Sequence, residues 1–97
     1  MTREEVLERI RGRWDEIRQR FDVEDLAVFG SVARDEAGPD SDVDVLVRFS
    51  GPATFDGFMD LKFYLEDLVG LRVDLVTQKA LRRELRPKVE REAVHVA

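Results

Sequence analysis

Asp42 and Asp44 stand two residues apart in a stretch where Val43, Val45, Val47 and Phe49 alternate with Asp42, Asp44, Leu46 and Arg48. On an extended strand that spacing sends both carboxylates out of one face, with backbone origins about 6.6 Å apart. Side chains can close such a gap around a cation. Two like charges on one sheet face repel, and a hard divalent ion such as Mg²⁺ set between them removes the repulsion. Asp74 lies in a second alternating stretch, residues 72–77, with Val73 and Leu75 opposing Asp74 and Val76. It completes a three-carboxylate cluster if the two strands are neighbours. Taken alone, Asp-x-Asp is also the pattern of any half-exposed strand with its polar residues in water.

Gly30 and Ser31 shift that balance. The apolar run Leu26-Ala27-Val28-Phe29 has the length and context of a strand buried on both faces, and it stops at Gly30. A Ser placed next, at the start of a helix, offers bare backbone N–H groups and a hydroxyl to a phosphate. Gly-Ser is equally a common turn and Ser a common N-cap, so it is the conjunction with Asp42 and Asp44 that describes a phosphate cradle beside a metal-binding face. Arg34, one turn further on, reaches either a phosphate or an acidic neighbour, Asp35 or Glu36.

These residues need a scaffold. Leu7, Ile10, Trp14, Ile17 and Phe21 recur at spacings of three and four and predict one helix running through Gly12, with Thr2 and Glu5 as its capping box. Thr54 caps a second helix with Phe58, Leu61, Leu65 and Leu68 on its apolar stripe and Gly70 as its stop. Phe55, Met59 and Phe63 widen the stripe and are expected in the core. A basic helix is expected from about Gln78 to Arg86, interrupted or ended by Pro87, and a short edge strand over residues 93–96. His95, the only histidine, is given no role.

The chain has 97 residues, 43% hydrophobic and 38% charged, which is one small foldable domain over residues 1–97. With no Cys there is no disulfide scaffold, cysteine zinc site or thiol nucleophile, and a reducing cytoplasm fits best. No secretory or membrane-spanning segment is legible. A net charge of −5 disfavours direct nucleic-acid binding. Residues 35–67 carry nine acids and two bases, whereas residues 78–97 carry six bases and three acids. That asymmetry suits a cation site beside an anion site, or two solvated faces; the basic run Lys79, Arg82, Arg83, Arg86, Lys88 and Arg91 reads first as a solvated face.

Gly30-Ser31, ten intervening residues and then Asp42-Val43-Asp44 resemble the signature of the DNA polymerase β nucleotidyltransferase superfamily. More closely, residues 29–34, 40–47 and 72–77 resemble the minimal nucleotidyltransferase (MNT) antitoxins that accompany HEPN-domain toxins. The resemblance covers nearly the whole chain. It implies an α/β (α+β) nucleotidyltransferase fold, a small mixed sheet flanked by helices. It further implies that Asp42, Asp44 and Asp74 hold two Mg²⁺ ions and serve catalysis, that Gly30 and Ser31, with Arg34 beside them, bind the triphosphate of ATP, and that AMP passes to a tyrosine hydroxyl of a HEPN ribonuclease toxin, silencing it. Asp35 departs from the pattern, which often has Gly there, and is not expected to abolish metal binding. The competing reading is an antitoxin that inhibits by occlusion without catalysis. Transfer to a small molecule or an RNA end is disfavoured by the missing substrate domain.

Overall fold

The computed structural model describes residues 1–97. Thr2 caps α1 (Arg3–Arg11) as expected, its hydroxyl accepting from the Glu5 N–H at 3.2 Å while the Glu5 carboxylate accepts from the Thr2 N–H. The helix does not run through Gly12. Gly12 is its C-cap, the Arg13 N–H donates to the Ile10 carbonyl, and a separate α2 follows (Trp14–Phe21). Glycine weakens a helix interior by about 1 kcal/mol, and here the break divides the stripe into two. Leu7 and Ile10 are buried from α1 and Ile17 from α2, with Trp14 and Phe21 only half-buried against them.

β1 (Val23–Phe29) begins three residues before the apolar run, at Val23, which is itself fully buried. A single helical turn, α3 (Gly30–Ala33), follows directly, and a loop leads to β2 (Val43–Phe49). α4 (Phe55–Val69) is bounded as the sequence indicates. Thr54 Oγ1 accepts from the Gly57 N–H at 3.0 Å, and Gly70 ends the helix at φ 74°, in the left-handed region. Its buried line is Leu61, Leu65 and Val69. Phe55 and Phe63 are not core residues: they are 77% and 52% exposed, and Met59 is half-buried, because only one stripe of the helix meets the sheet.

After β3 (Val73–Thr77) the expected basic helix is absent. Residues 78–81 form a turn, with the Ala80 N–H donating to Thr77 Oγ1 at 3.2 Å and Leu81 buried. A 3₁₀ turn (Arg83–Leu85) then leads into α5 (Arg86–Glu92). Pro87 therefore sits in the first turn of a helix rather than ending one; it lacks an N–H, which costs nothing at a position with no intrahelical acceptor. β4 (Val94–His95) is the expected edge strand.

The four strands form one mixed sheet in the order β3-β2-β1-β4, with β2 and β3 parallel and the other pairs antiparallel. Val43, Val45, Val47, Val73 and Leu75 project to the face covered by α1, α2 and α4, in an 18-residue apolar cluster. On the other face Leu81 and Val89 are buried and the rest of the 78–92 segment is almost wholly exposed. No helix is long and apolar enough to cross a membrane.

Candidate active site

The alternation that buries the valines of β2 turns Asp44 to the second face of the sheet, where it is half-buried. The parallel pairing sets Asp44 opposite Asp74, and the antiparallel pairing sets Phe29 opposite Asp44. The end of β1, and with it the Gly30-Ser31 turn, is thus carried to the same edge as both carboxylates. The sequence reading left the adjacency of the Asp44 and Asp74 strands open, and the register supplies it.

Gly30 is buried at φ 73°, a conformation that L side chains rarely adopt. A Cβ built there would overlap Asp44 Oδ2 and stand 3.0 Å from Asp44 Cγ. Glycine is required because the Asp44 carboxylate occupies the space a side chain would fill. The Gly30 N–H is not free: it donates to Glu92 Oε1 at 3.0 Å. Ser31 stands half-buried in the turn after it.

Asp42 lies one residue before β2, exposed, and pairs with Arg72 Nε at 3.2 Å. No group of three or more His, Cys, Asp or Glu side chains is close enough to hold a metal ion as the side chains stand. Three carboxylates on one patch repel, and Asp42 relieves that repulsion by turning to a guanidinium. The repulsion still registers on Asp44. Burial pushes its carboxyl up to about 6, and the charges of Asp74 and Asp42 add to the rise, while Arg34 opposes it. A hard cation would relieve all three acids at once, and the oxygen-only donor set suits Mg²⁺; Arg72 occupies only Oδ1 of Asp42.

Arg34 pairs with Glu36 at 3.2 Å, one of the two neighbours the sequence offered, and with Glu92 at 2.9 Å, which it did not. Asp35 takes the left-handed conformation, φ 59°, at the position where the family resemblance leads to an expectation of Gly, and its Oδ1 accepts the Arg3 N–H at 3.2 Å. Aspartate tolerates that conformation better than most residues, so the departure leaves the loop its turn and ties it to α1. His95 stacks no chemistry at the site: its Nδ1 meets Asp25 Oδ2 at 3.0 Å across the β1–β4 pair. The basic residues Lys79, Arg82, Arg83, Arg86, Lys88 and Arg91 are all exposed. Lys79 and Arg86 line, with Leu46, Gln78, Leu81 and Glu90, a cavity of about 260 Å³ on the same face of the sheet.

Residues 7–96 match the family model described as a nucleotidyltransferase domain. The chain is 44% identical over 96 residues to the protein adenylyltransferase MntA of Thermococcus cleftensis, covering 99% of this chain and 97% of that one. A solved structure described as a minimal nucleotidyltransferase superposes with a TM-score of 0.81 at 41% identity, over 97% of this chain and 95% of that chain. A chain from the complex of a tri-AMPylated Shewanella oneidensis HEPN toxin with its MNT antitoxin superposes with a TM-score of 0.67 at 15% identity, over 94% of this chain and 71% of that one. At that identity the likeness is one of fold.

Proposed function

Since this chain belongs to the nucleotidyltransferase domain family, we propose that it is a protein adenylyltransferase that transfers AMP from ATP to a tyrosine hydroxyl of a cognate HEPN ribonuclease toxin and thereby neutralises it. One observation carries the reading: Asp44 and Asp74 stand in register on a sheet face that the core does not use, with Gly30 shaped to admit the Asp44 carboxylate. The identity to an adenylyltransferase over almost the full length of both chains and the fold shared with an antitoxin complex whose toxin is AMPylated support the donor and the acceptor.

The tyrosine oxygen attacks the α-phosphorus of ATP, the bond to the bridging oxygen of the β-phosphate breaks, pyrophosphate leaves and the hydroxyl proton is released. Asp42, Asp44 and Asp74 would hold two Mg²⁺ ions, which when bound neutralise the triphosphate and lower the pKa of the attacking hydroxyl. In this reading Ser31 binds the triphosphate through its hydroxyl, Gly30, whose own N–H is held by Glu92, shapes the turn that brings the phosphates beside Asp44, and Arg34 supplies a positive charge next to them. Asp74, the more exposed of the paired acids, assists removal of the tyrosine proton, so that Asp74→Asn lowers turnover more than ATP affinity.

Inhibition by occlusion has its own observation, the exposed Phe55 and Phe63 on α4, a surface a partner helix can cover. Occlusion alone has no use for the acids. Incubating the protein with its toxin, Mg²⁺ and ATP and then weighing the toxin by mass spectrometry separates the readings. A gain of whole AMP units, lost with Asp44→Asn, supports transfer. Neutralisation of the toxin with no gain in mass overturns it.

A further inference from the structure

We propose that Glu92, at the C-terminal end of α5, is a positioning residue for nucleotide binding, clamping the Gly30–Arg34 turn at both ends. Oε1 accepts the Gly30 N–H at 3.0 Å and Oε2 accepts from the Arg34 guanidinium at 2.9 Å. The inference deepens the adenylyltransferase reading and rests on it, because the turn so held is the one assigned to the triphosphate.

The turn cannot hold itself. α3 is four residues long and begins at a residue with positive φ, and no side chain caps it. A single turn of helix is unstable without outside support. The support has to be rigid as well, because Gly30 packs directly on the Asp44 carboxylate. Glu92 meets that need. The β1–β4 ladder pairs Ala27 with His95 and Val28 with Val94, and the same register carried two residues further sets Glu92 opposite Gly30. A side-chain carboxylate thus takes the place of the backbone carbonyl that a longer strand would offer. The far side is pinned too: the Val96 N–H donates to the Leu26 carbonyl at 2.9 Å, and Arg11 donates to the Val96 and His95 carbonyls at 2.8 and 3.2 Å.

The chemistry of the side chain agrees with its placement. The Glu92 side chain is only 15% exposed, a costly position for an ionised carboxylate unless its oxygens are paired, and both are. The pairing orients the Arg34 guanidinium at the far end of the turn, where Glu36 holds it from the other side. A charged acceptor on a backbone amide is also a stronger tie than a neutral one.

The test compares Glu92→Ala and Glu92→Gln with the wild-type chain, by steady-state kinetics with ATP and Mg²⁺ and by amide hydrogen exchange. Glu92→Ala should raise the KM for ATP about tenfold with kcat within about threefold, and should speed exchange at Gly30 at least tenfold while leaving Val28 protected. Glu92→Gln keeps one acceptor for the Gly30 N–H, folds under the same conditions and should fall between the two. A merely structural Glu92 would lower the Tm but leave KM unchanged in the folded fraction, and that result overturns the inference. A lowered KM in Glu92→Ala also overturns it, because Glu92 would then compete with the nucleotide for the same donors. Wild-type protein that binds no ATP defeats the adenylyltransferase reading and this one together, whereas wild-type transfer with an unaltered KM in Glu92→Ala defeats only the role of Glu92.

Discussion

The two faces of β2 are built from alternate residues of one seven-residue strand and obey opposite rules. Val43, Val45 and Val47 are fully buried beneath α1, α2 and α4, where removal of apolar surface from water stabilises the fold. Asp44 on the other face is pressed against Gly30 and faces the charges of Asp74 and Asp42, an arrangement that disfavours its own ionised form. One face supplies the stability that lets the other hold mutually repelling groups. It follows that changes to the valine face should cost stability and spare chemistry, while changes to the acid face should do the reverse.

The largest expected effect lies on the core face. Leu61→Ala on α4 removes a fully buried side chain and should destabilise by about 2 to 5 kcal/mol, measured by urea unfolding, with AMP transfer per folded molecule unchanged. Lost transfer in the folded fraction would blur the division between the faces.

Gly30→Ala comes next and breaks the division from the other side. The new Cβ meets the Asp44 carboxylate, and a non-glycine residue at positive φ costs about 1 to 2 kcal/mol. A stability loss of about 2 kcal/mol by the same unfolding assay should accompany a loss of transfer of at least about a hundredfold, because the side chain displaced is the one proposed to hold the metal.

Smaller still is the pH effect at Asp44. Its carboxyl is raised from 3.8 to about 6, so the native state retains a proton that the unfolded chain has released, and stability falls as pH rises between those values before levelling off. Asp44→Asn removes that cost. At pH 7.5, without metal, the variant should be more stable by about 1 kcal/mol once solvent screening at a half-exposed site is allowed for, and equal to wild type below pH 4. Thermal unfolding across pH would detect it as a rise in Tm of a few degrees; a variant less stable than wild type at pH 7.5 would contradict the strained reading of this face.

The same contrast explains what the sequence made legible. The alternation of residues 43–49, the Thr2–Glu5 box and the Thr54 and Gly70 bounds of α4 are local signals, and each is found in place, whereas Asp42, read as part of the same strand, lies just before it. Strand alternation located Asp42, Asp44 and Asp74 and the family resemblance gave them roles, but only strand register could set Asp44 beside Asp74. The departures have their own causes. Gly12 divides a helix whose stripe reads as continuous and Pro87 opens a helix where it was expected to close one, because each residue is compatible with either side of a helix boundary, whereas Phe55 and Phe63 face solvent because only one stripe of α4 is covered. Glu92 gave no signal, being one of three acids in a basic tail; its proposed role depends on the β1–β4 pairing, which brings it to Gly30 across 62 residues of chain.

Whether the acid face is a nucleotide and metal site held at a cost to stability is decided by calorimetric titration of magnesium and a non-hydrolysable ATP analogue into wild-type and Asp44→Asn protein. Wild type should show saturable, magnesium-dependent binding, and the variant binding at least about tenfold weaker. Equal affinity for the two proteins would contradict such a site.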